Sequence, residues 1–134
     1  RRHTRFRNVT GVQTCALPIS NGGGSIVTLG GMMSLSGAKK RVHGSVAKHG
    51  LVGFTRGIAR EFGDRNIRAN CLAPGQMNTV KTAGRTPSQG ESMIPLGRKG
   101  EAEEIATVVR FLCSPAASYV TGQSIQINGG QMMF

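Results

Sequence analysis

The sequence has no tryptophan, only 4% aromatic residues, and six acidic residues against seventeen lysines and arginines, giving a formal charge of +11 over 134 residues. An excess of positive charge invites a nucleic-acid reading, but no motif with aromatics placed to stack on bases is present. Arg1, Arg2, Arg5 and Arg7 supply four of the eleven charges, and the remaining +7 is spread over the chain without forming a block. A nucleic-acid partner is therefore not expected. No stretch approaches the roughly 20 apolar residues of a membrane-spanning helix, so no membrane partner is expected either. The three cysteines show no metal-ligand spacing, and no metal site is expected. Cys71 and Cys113, unpatterned, suit a reducing compartment, which points to the cytoplasm.

The pattern that is present begins with residues 43–62, HGSVAKHGLVGFTRGIAREF. At 100° per residue, Ala47, Leu51, Phe54, Ile58 and Phe62 form one apolar stripe, predicting an amphipathic helix with that stripe on the core. Gly50, Gly53 and Gly57 lie on an adjacent stripe. A glycine weakens a helix by about 1 kcal/mol relative to alanine, so three on one face predict close approach of another backbone. Lys48 stands at the margin of the apolar stripe.

Residues 25–29 (SIVTL) and 67–73 read as strands, near-continuous apolar runs of the kind found in a sheet covered on both faces. Pro74 and Gly75 end the second. Residues 101–113 predict a helix with Ile105, Val108, Val109 and Leu112 on one face. Glu101, Glu103 and Glu104 lie at its start, where the helix dipole favours negative charge. Residues 124–127 are a third short strand, and residues 76–93 are a long aperiodic loop. Strand, helix, strand, helix, strand implies right-handed crossovers and a parallel sheet of about three strands in an α/β fold.

Several runs in order carry a resemblance: Lys48 followed by HGLVGFTR, Asn70 to Thr79 (NCLAPGQMNT), Ile94 to Arg98 (IPLGR), Gly100 to Glu104 (GEAEE), Ser118 to Gln123 (SYVTGQ), and Asn128-Gly129-Gly130. Together they resemble the C-terminal half of the short-chain dehydrogenase/reductase family. The resemblance implies a partial Rossmann-like, doubly wound parallel sheet over residues 21–134. Residues 1–20 resemble no part of the family. Their run VTGVQTCALPI looks like the translation of a sequencing adapter, so they are set aside as non-native, weakly tethered chain.

The resemblance also implies hydride transfer between NAD or NADP and a carbonyl or alcohol substrate. Lys48 takes the position of the family's lysine, which binds the nicotinamide ribose and lowers the pKa of the catalytic tyrosine. Pro74, Gly75, Met77 and Thr79 take the positions that line the nicotinamide, and the aperiodic loop that of the substrate lid. The positions of the catalytic serine and tyrosine read Gly31 and Gly44. Four residues separate Gly44 from Lys48 because only positions three or four apart share a helix face. Imidazole is a side chain suited to general acid chemistry, and His43 is the substitute candidate for the proton donor. It meets Lys48 only if the helix starts after it or bulges, since five residues place it about 140° away. Ser45, Ser34 and Ser36 are the hydroxyls within reach of the vacant positions.

No Gly-x-Gly-x-x-Gly opens a helix in residues 21–134, so the phosphate end of a dinucleotide site is missing from this stretch. The reading is an oxidoreductase fragment, inactive and without tightly bound dinucleotide as this chain, from a homo-oligomeric parent, dimer or tetramer. The alternative is a non-catalytic family member in which the glycine-rich helix and the C-terminal segment serve assembly.

Overall fold

The structure, a computed structural model, describes residues 15–16, 22–79 and 94–133. Its elements in order are β1 (Cys15–Ala16), β2 (Gly24–Leu29), the short helix α1 (Met33–Ser36), α2 (Val42–Phe62), β3 (Ile67–Pro74), α3 (Ala102–Cys113) and β4 (Ser124–Ile127). Single 3-10 turns follow α2 (Gly63–Arg65) and α3 (Pro115–Ala117). The sheet order is β1-β2-β3-β4. β2, β3 and β4 are parallel, as the alternation of strands and helices predicts, and β3 is central. β1 runs antiparallel to β2, with Cys15 opposite Val27 and Ala16 opposite Ile26. A piece of the segment set aside as adapter-like thus occupies the free edge of β2. The lid expected within residues 76–93 lies largely outside the described residues.

Side chains alternate across a strand, and here each face meets a different helix. Val27 and Leu72 point to the α3 face, forming a core with Leu112 and Ala117 against Ile105, Val108 and Val109. Burying each of the large side chains contributes about 1.5–3 kcal/mol. Arg68, Asn70 and Ser25 share that face and satisfy the backbone at the end of α3. Ser25 Oγ donates to Leu112 O at 2.9 Å, Arg68 Nη2 to the same oxygen at 2.8 Å, and Asn70 Nδ2 to Val120 O at 2.9 Å. The opposite set in β3, Ala69, Cys71 and Ala73, is fully buried and small, which lets α2 lie close on the sheet.

The seated face of α2 differs from the expected stripe. Leu51, Val52 and Thr55 are buried, whereas Ala47 is exposed and Phe54 is 51% exposed. The physical reason is Thr55, which hydropathy alone leaves out of a core. Its hydroxyl donates to Leu51 O at 2.7 Å and pairs with Thr28 Oγ1 at 2.9 Å, so a polar side chain is fully satisfied between helix and sheet. An unpaired buried hydroxyl would cost about 1–3 kcal/mol. With Thr55 inward, Phe54 turns outward. The close backbone approach predicted for the glycine stripe is not made among the described residues: apart from chain neighbours and α2's own backbone, no described atom lies within 4 Å of a Cβ built on Gly50, Gly53 or Gly57.

After α2, Asn66 adopts a left-handed backbone (φ 57), which asparagine tolerates better than most residues. Its carbonyl accepts Gly24 N at 3.0 Å and its Nδ2 donates to Gly22 O at 2.8 Å, fixing where β2 begins. The start of α3 is a capping box: Glu101 caps the helix, and Glu104 Oε2 accepts Glu101 N at 2.8 Å. Arg98 closes the arrangement with hydrogen bonds of 2.9 and 2.8 Å to the two Glu104 oxygens. Among the described residues, no helix is long and apolar enough to cross a membrane.

The Arg98 hydrogen bonds, with the Glu101 amide, hold the Glu104 carboxyl down from 4.5 to about 2. A carboxyl with a lowered folded pKa contributes stability that is present above its unfolded pKa and lost as pH falls through the folded one. Between pH 4.5 and about 2 the wild type should therefore lose more melting temperature than Glu104→Gln. Parallel thermal-melt profiles across that window would refute the linkage.

Candidate functional site

In an open parallel sheet, ligands bind beyond the carboxyl ends of the strands. Here the chain leaves β2 through Gly30 and Gly31 and leaves β3 through Pro74 and Gly75, side by side. Gly30 N donates to Leu72 O at 2.7 Å, and a Cβ on Gly31 would lie 3.9 Å from Pro74 O. Lys48, half-buried on α2, points to this edge and donates from Nζ to Leu29 O, the last residue of β2, at 2.9 Å. A long flexible amine is thereby fixed at the strand end beside Gly31 and Pro74.

Gly44 lies one helical turn before Lys48. A Cβ built there has, among the described residues outside α2's own backbone, Met33 Cε at 3.8 Å as its neighbour within 4 Å, ordinary contact distance. Gly31 differs in its backbone: φ is +97°, where a residue with a Cβ is strained whatever the surrounding space. The glycine at the position expected for the serine thus carries a conformational constraint as well as the absence of a side chain, which sequence spacing does not reveal.

The substitute donors are placed as follows. α2 begins at Val42, so His43 is already in its first turn and the condition for meeting Lys48 is not fulfilled; its side chain is exposed. Ser45 Oγ accepts Ala38 N at 3.1 Å, tying the preceding loop to the helix. Ser34 is buried and donates to Gly31 O at 2.6 Å, the hydroxyl bonded nearest to the vacant serine position. Ser36 bonds to Met32 O and Gly37 O. The sole tyrosine, Tyr119, is fully exposed on the turn after α3 and is no replacement.

Beyond β3 the loop folds toward α3. Gly75 N donates to Ile127 O at 2.9 Å, and a Cβ on Gly75 would lie 2.7 Å from Asn128 Cα. Glycine is required there for contact with the end of β4, whatever else it does. Met77 bridges to Gly100, whose hypothetical Cβ would fall 2.8 Å from Met77 Cε. Asn78 N donates to Gly100 O at 2.7 Å, and its Nδ2 to Glu101 Oε1 at 3.1 Å. Thr79 is exposed at the limit of the described segment. Lys48, Pro74 and Gly75 therefore share one edge, Met77 packs on the α3 side of it, and His43 stays apart.

Between this loop and the end of β4 lies a cavity of about 220 Å³, with Gln76, Met77, Arg98, Gln126 and Asn128 in its wall. Sequence reasoning left out Gly100, Arg98 and Asn128 as builders of this corner. The Glu-x-x-Glu spacing of the capping box was the available signal for Arg98 and Gly100. Among the described residues, no group of three or more His, Cys, Asp or Glu side chains is placed to hold a metal ion.

Residues 3–132 match a family described as enoyl-(acyl carrier protein) reductase. The match reaches further toward the N-terminus than the motifs do. A 3-oxoacyl-[acyl-carrier-protein] reductase, FabG, of Pseudomonas aeruginosa is 45% identical over 113 residues, covering 82% of this chain and 46% of the relative. The short-chain dehydrogenase/reductase aba4 of Botryotinia fuckeliana is 39% identical over 135 residues, covering 92% and 52%. Among solved structures, acetoin dehydrogenase YohF from Salmonella typhimurium superposes with TM-score 0.72 at 35% identity, covering 82% of this chain and 43% of that one. A protein of Sinorhizobium meliloti 1021 reaches TM-score 0.77 at 39% identity, covering 83% and 46%. The chain spans about half the length of the curated relatives it matches. With the sheet, the lysine at its carboxyl edge and these relatives in agreement, the chain belongs to the short-chain dehydrogenase/reductase family of oxidoreductases.

Proposed function

We propose that this chain supplies the substrate-side half of an NAD(P)-dependent oxidoreductase acting on a carbonyl or alcohol. The observation that carries this reading is Lys48, anchored by Leu29 O at the carboxyl end of β2 next to Gly31 and Pro74. The residues present fit the nicotinamide end of such a cofactor: a fixed ammonium for a ribose hydroxyl, and backbone at Pro74, Gly75 and Met77, with Thr79, for the ring's amide. They do not include a phosphate-binding glycine turn opening a helix. A bound nicotinamide would supply the hydride. Lys48 would orient the ribose and place a positive charge beside the reacting oxygen, where it favours developing negative charge.

The arrangement lacks a proton donor on that oxygen. Gly31 and Gly44 present no hydroxyl, and His43 is turned away. General acid–base assistance contributes about 10²–10⁴-fold, so activity in a chain of its relatives' length should be low rather than nil.

A second reading, assembly, is favoured by one specific observation. Val42 (74% exposed), Val46 (66%) and Phe54 (51%) stand out on α2 with the unfilled glycine stripe beside them. Such a smooth apolar helix face suits packing against a second copy, giving a homo-oligomer, dimer or tetramer. The two readings are compatible, since assembly would leave the lysine edge unchanged.

In a chain extended to its relatives' length by the upstream coding sequence, Gly44→Tyr should raise carbonyl reduction about 10²-fold or more. A Cβ at Gly44 meets ordinary contact distance to Met33 Cε, 3.8 Å. Gly31→Ser should add little or detract, because φ +97° costs a residue with a Cβ roughly 1–3 kcal/mol. His43→Ala should leave kcat/KM and its pH profile unchanged; loss of an inflection near neutrality would make His43 the acid and overturn this register. The chain of 134 residues alone should bind NADH and NADPH more weakly than micromolar, and a micromolar calorimetric isotherm would refute that. For assembly, Val46→Lys should shift sedimentation to the monomer while the circular dichroism spectrum is retained; unchanged sedimentation would remove α2 from the interface.

A further inference from the structure

The described residues before Glu61 contain no aspartate or glutamate. Within them Lys39, Lys40 and Arg41 stand consecutively, all exposed, on the link between α1 and α2. The link is held in place. Ala38 N donates to Ser45 Oγ at 3.1 Å, Arg41 N to Ala38 O at 3.2 Å, and Arg41 O accepts Ser45 N at 2.9 Å. Arg41 precedes Lys48 by seven residues, about 10 Å along the helix axis. Between them Gly44 contributes no side chain, and the described atom nearest a Cβ there is Met33 Cε at 3.8 Å. The carboxylates on the α3 side of the same edge are engaged elsewhere: Glu104 with Arg98, and Glu101 with the Asn78 amide. Glu103 is exposed on α3 itself. The α2 rim of the site thus carries a concentrated positive charge with no neighbouring acid in sequence to offset it.

We propose that the substrate carries an oxyanion, carboxylate or phosphate, at the end remote from its reacting carbon, and that Lys39, Lys40 and Arg41 select it. This rests on the reading that the reacting carbon lies beside Lys48 and Gly31. Clustered exposed cations raise the local concentration of an anion and leave a neutral analogue unaffected. Exposed charge pairs are individually weak and screened by salt. Three acting on one group amount to about a tenfold preference at low ionic strength, shrinking as the Debye length falls to about 8 Å at physiological salt.

The test is an amide-resolved NMR titration of the 134-residue chain with 6-oxoheptanoate and, separately, its neutral methyl ester. The expected result is saturable shifts at residues 37–45 with the anion, about tenfold tighter than with the ester at low salt. The preference should disappear in Lys39→Gln/Lys40→Asn/Arg41→Gln, where asparagine tolerates the left-handed backbone of Lys40 (φ 60). Unmoved Leu72 and Leu112 amides would show that variant folded. If it does not fold, Lys39→Gln alone should cut the preference about two- to threefold. Inorganic phosphate separates the sources: tighter phosphate binding at the link assigns a phosphate, tighter carboxylate binding a carboxylate. Equal affinity for acid and ester, a preference that survives the substitutions, or no saturable shift would overturn the proposal. Ester-induced shifts at Gly31 and Lys48 would leave the carbonyl-site reading standing even then. Absent hydride transfer in the extended chain would sink that reading without touching a measured anion preference.

Discussion

Strand β3 is paired along both edges, to β2 on one side and β4 on the other, and each of its faces is sealed by a different helix. Its side chains divide accordingly. Large and hydrogen-bonding residues (Arg68, Asn70, Leu72) meet α3 and the turn after it, while Ala69, Cys71 and Ala73 leave room for α2. A bulky residue in the second set would push α2 off the sheet, because interiors are packed too densely to absorb added volume without strain. The position of Lys48 depends on that spacing: its reach to Leu29 O exists only while the helix lies close.

The same closeness explains why a threonine occupies the interface. Thr28 and Thr55 face each other where helix and sheet meet, and each satisfies the other. The helix is then fixed in rotation, which turns Val42, Val46 and Phe54 outward and aligns Gly44 with Lys48. One hydrogen bond in the core therefore bears on both the apolar side chains that α2 exposes and the geometry of the candidate site.

The two glycines at the positions proposed for the catalytic serine and tyrosine are physically different. Gly44 sits in ordinary helix with room beside it, so its effect is the loss of a side chain. Gly31 takes a backbone conformation that side chains disfavour, so the turn after β2 itself resists a side chain there. The carboxyl edge carries Lys48, the cation proposed to orient the cofactor, with the basic link of Lys39 to Arg41 on the α2 side.

The sequence by itself determined the order and type of the elements. Apolar runs at 25–29 and 67–73, the helical period at 43–62 and 101–113, and the Pro74-Gly75 break are local features, and local propensity with burial sets strands and helices directly. It also determined the family, because spaced motifs survive in the chain as written. Only the tertiary structure decided which side of α2 faces inward, because hydropathy counts Phe54 as core and Thr55 as surface. The partner hydroxyl of Thr28 reverses both and lies 27 residues away in sequence. Likewise, that Gly75 must be glycine follows from Asn128, and that Gly31 resists a side chain follows from its φ angle. Backbone conformation and contacts between distant segments have no signature in residue spacing, and they are what place Lys48 at the carboxyl edge and leave His43 in solvent.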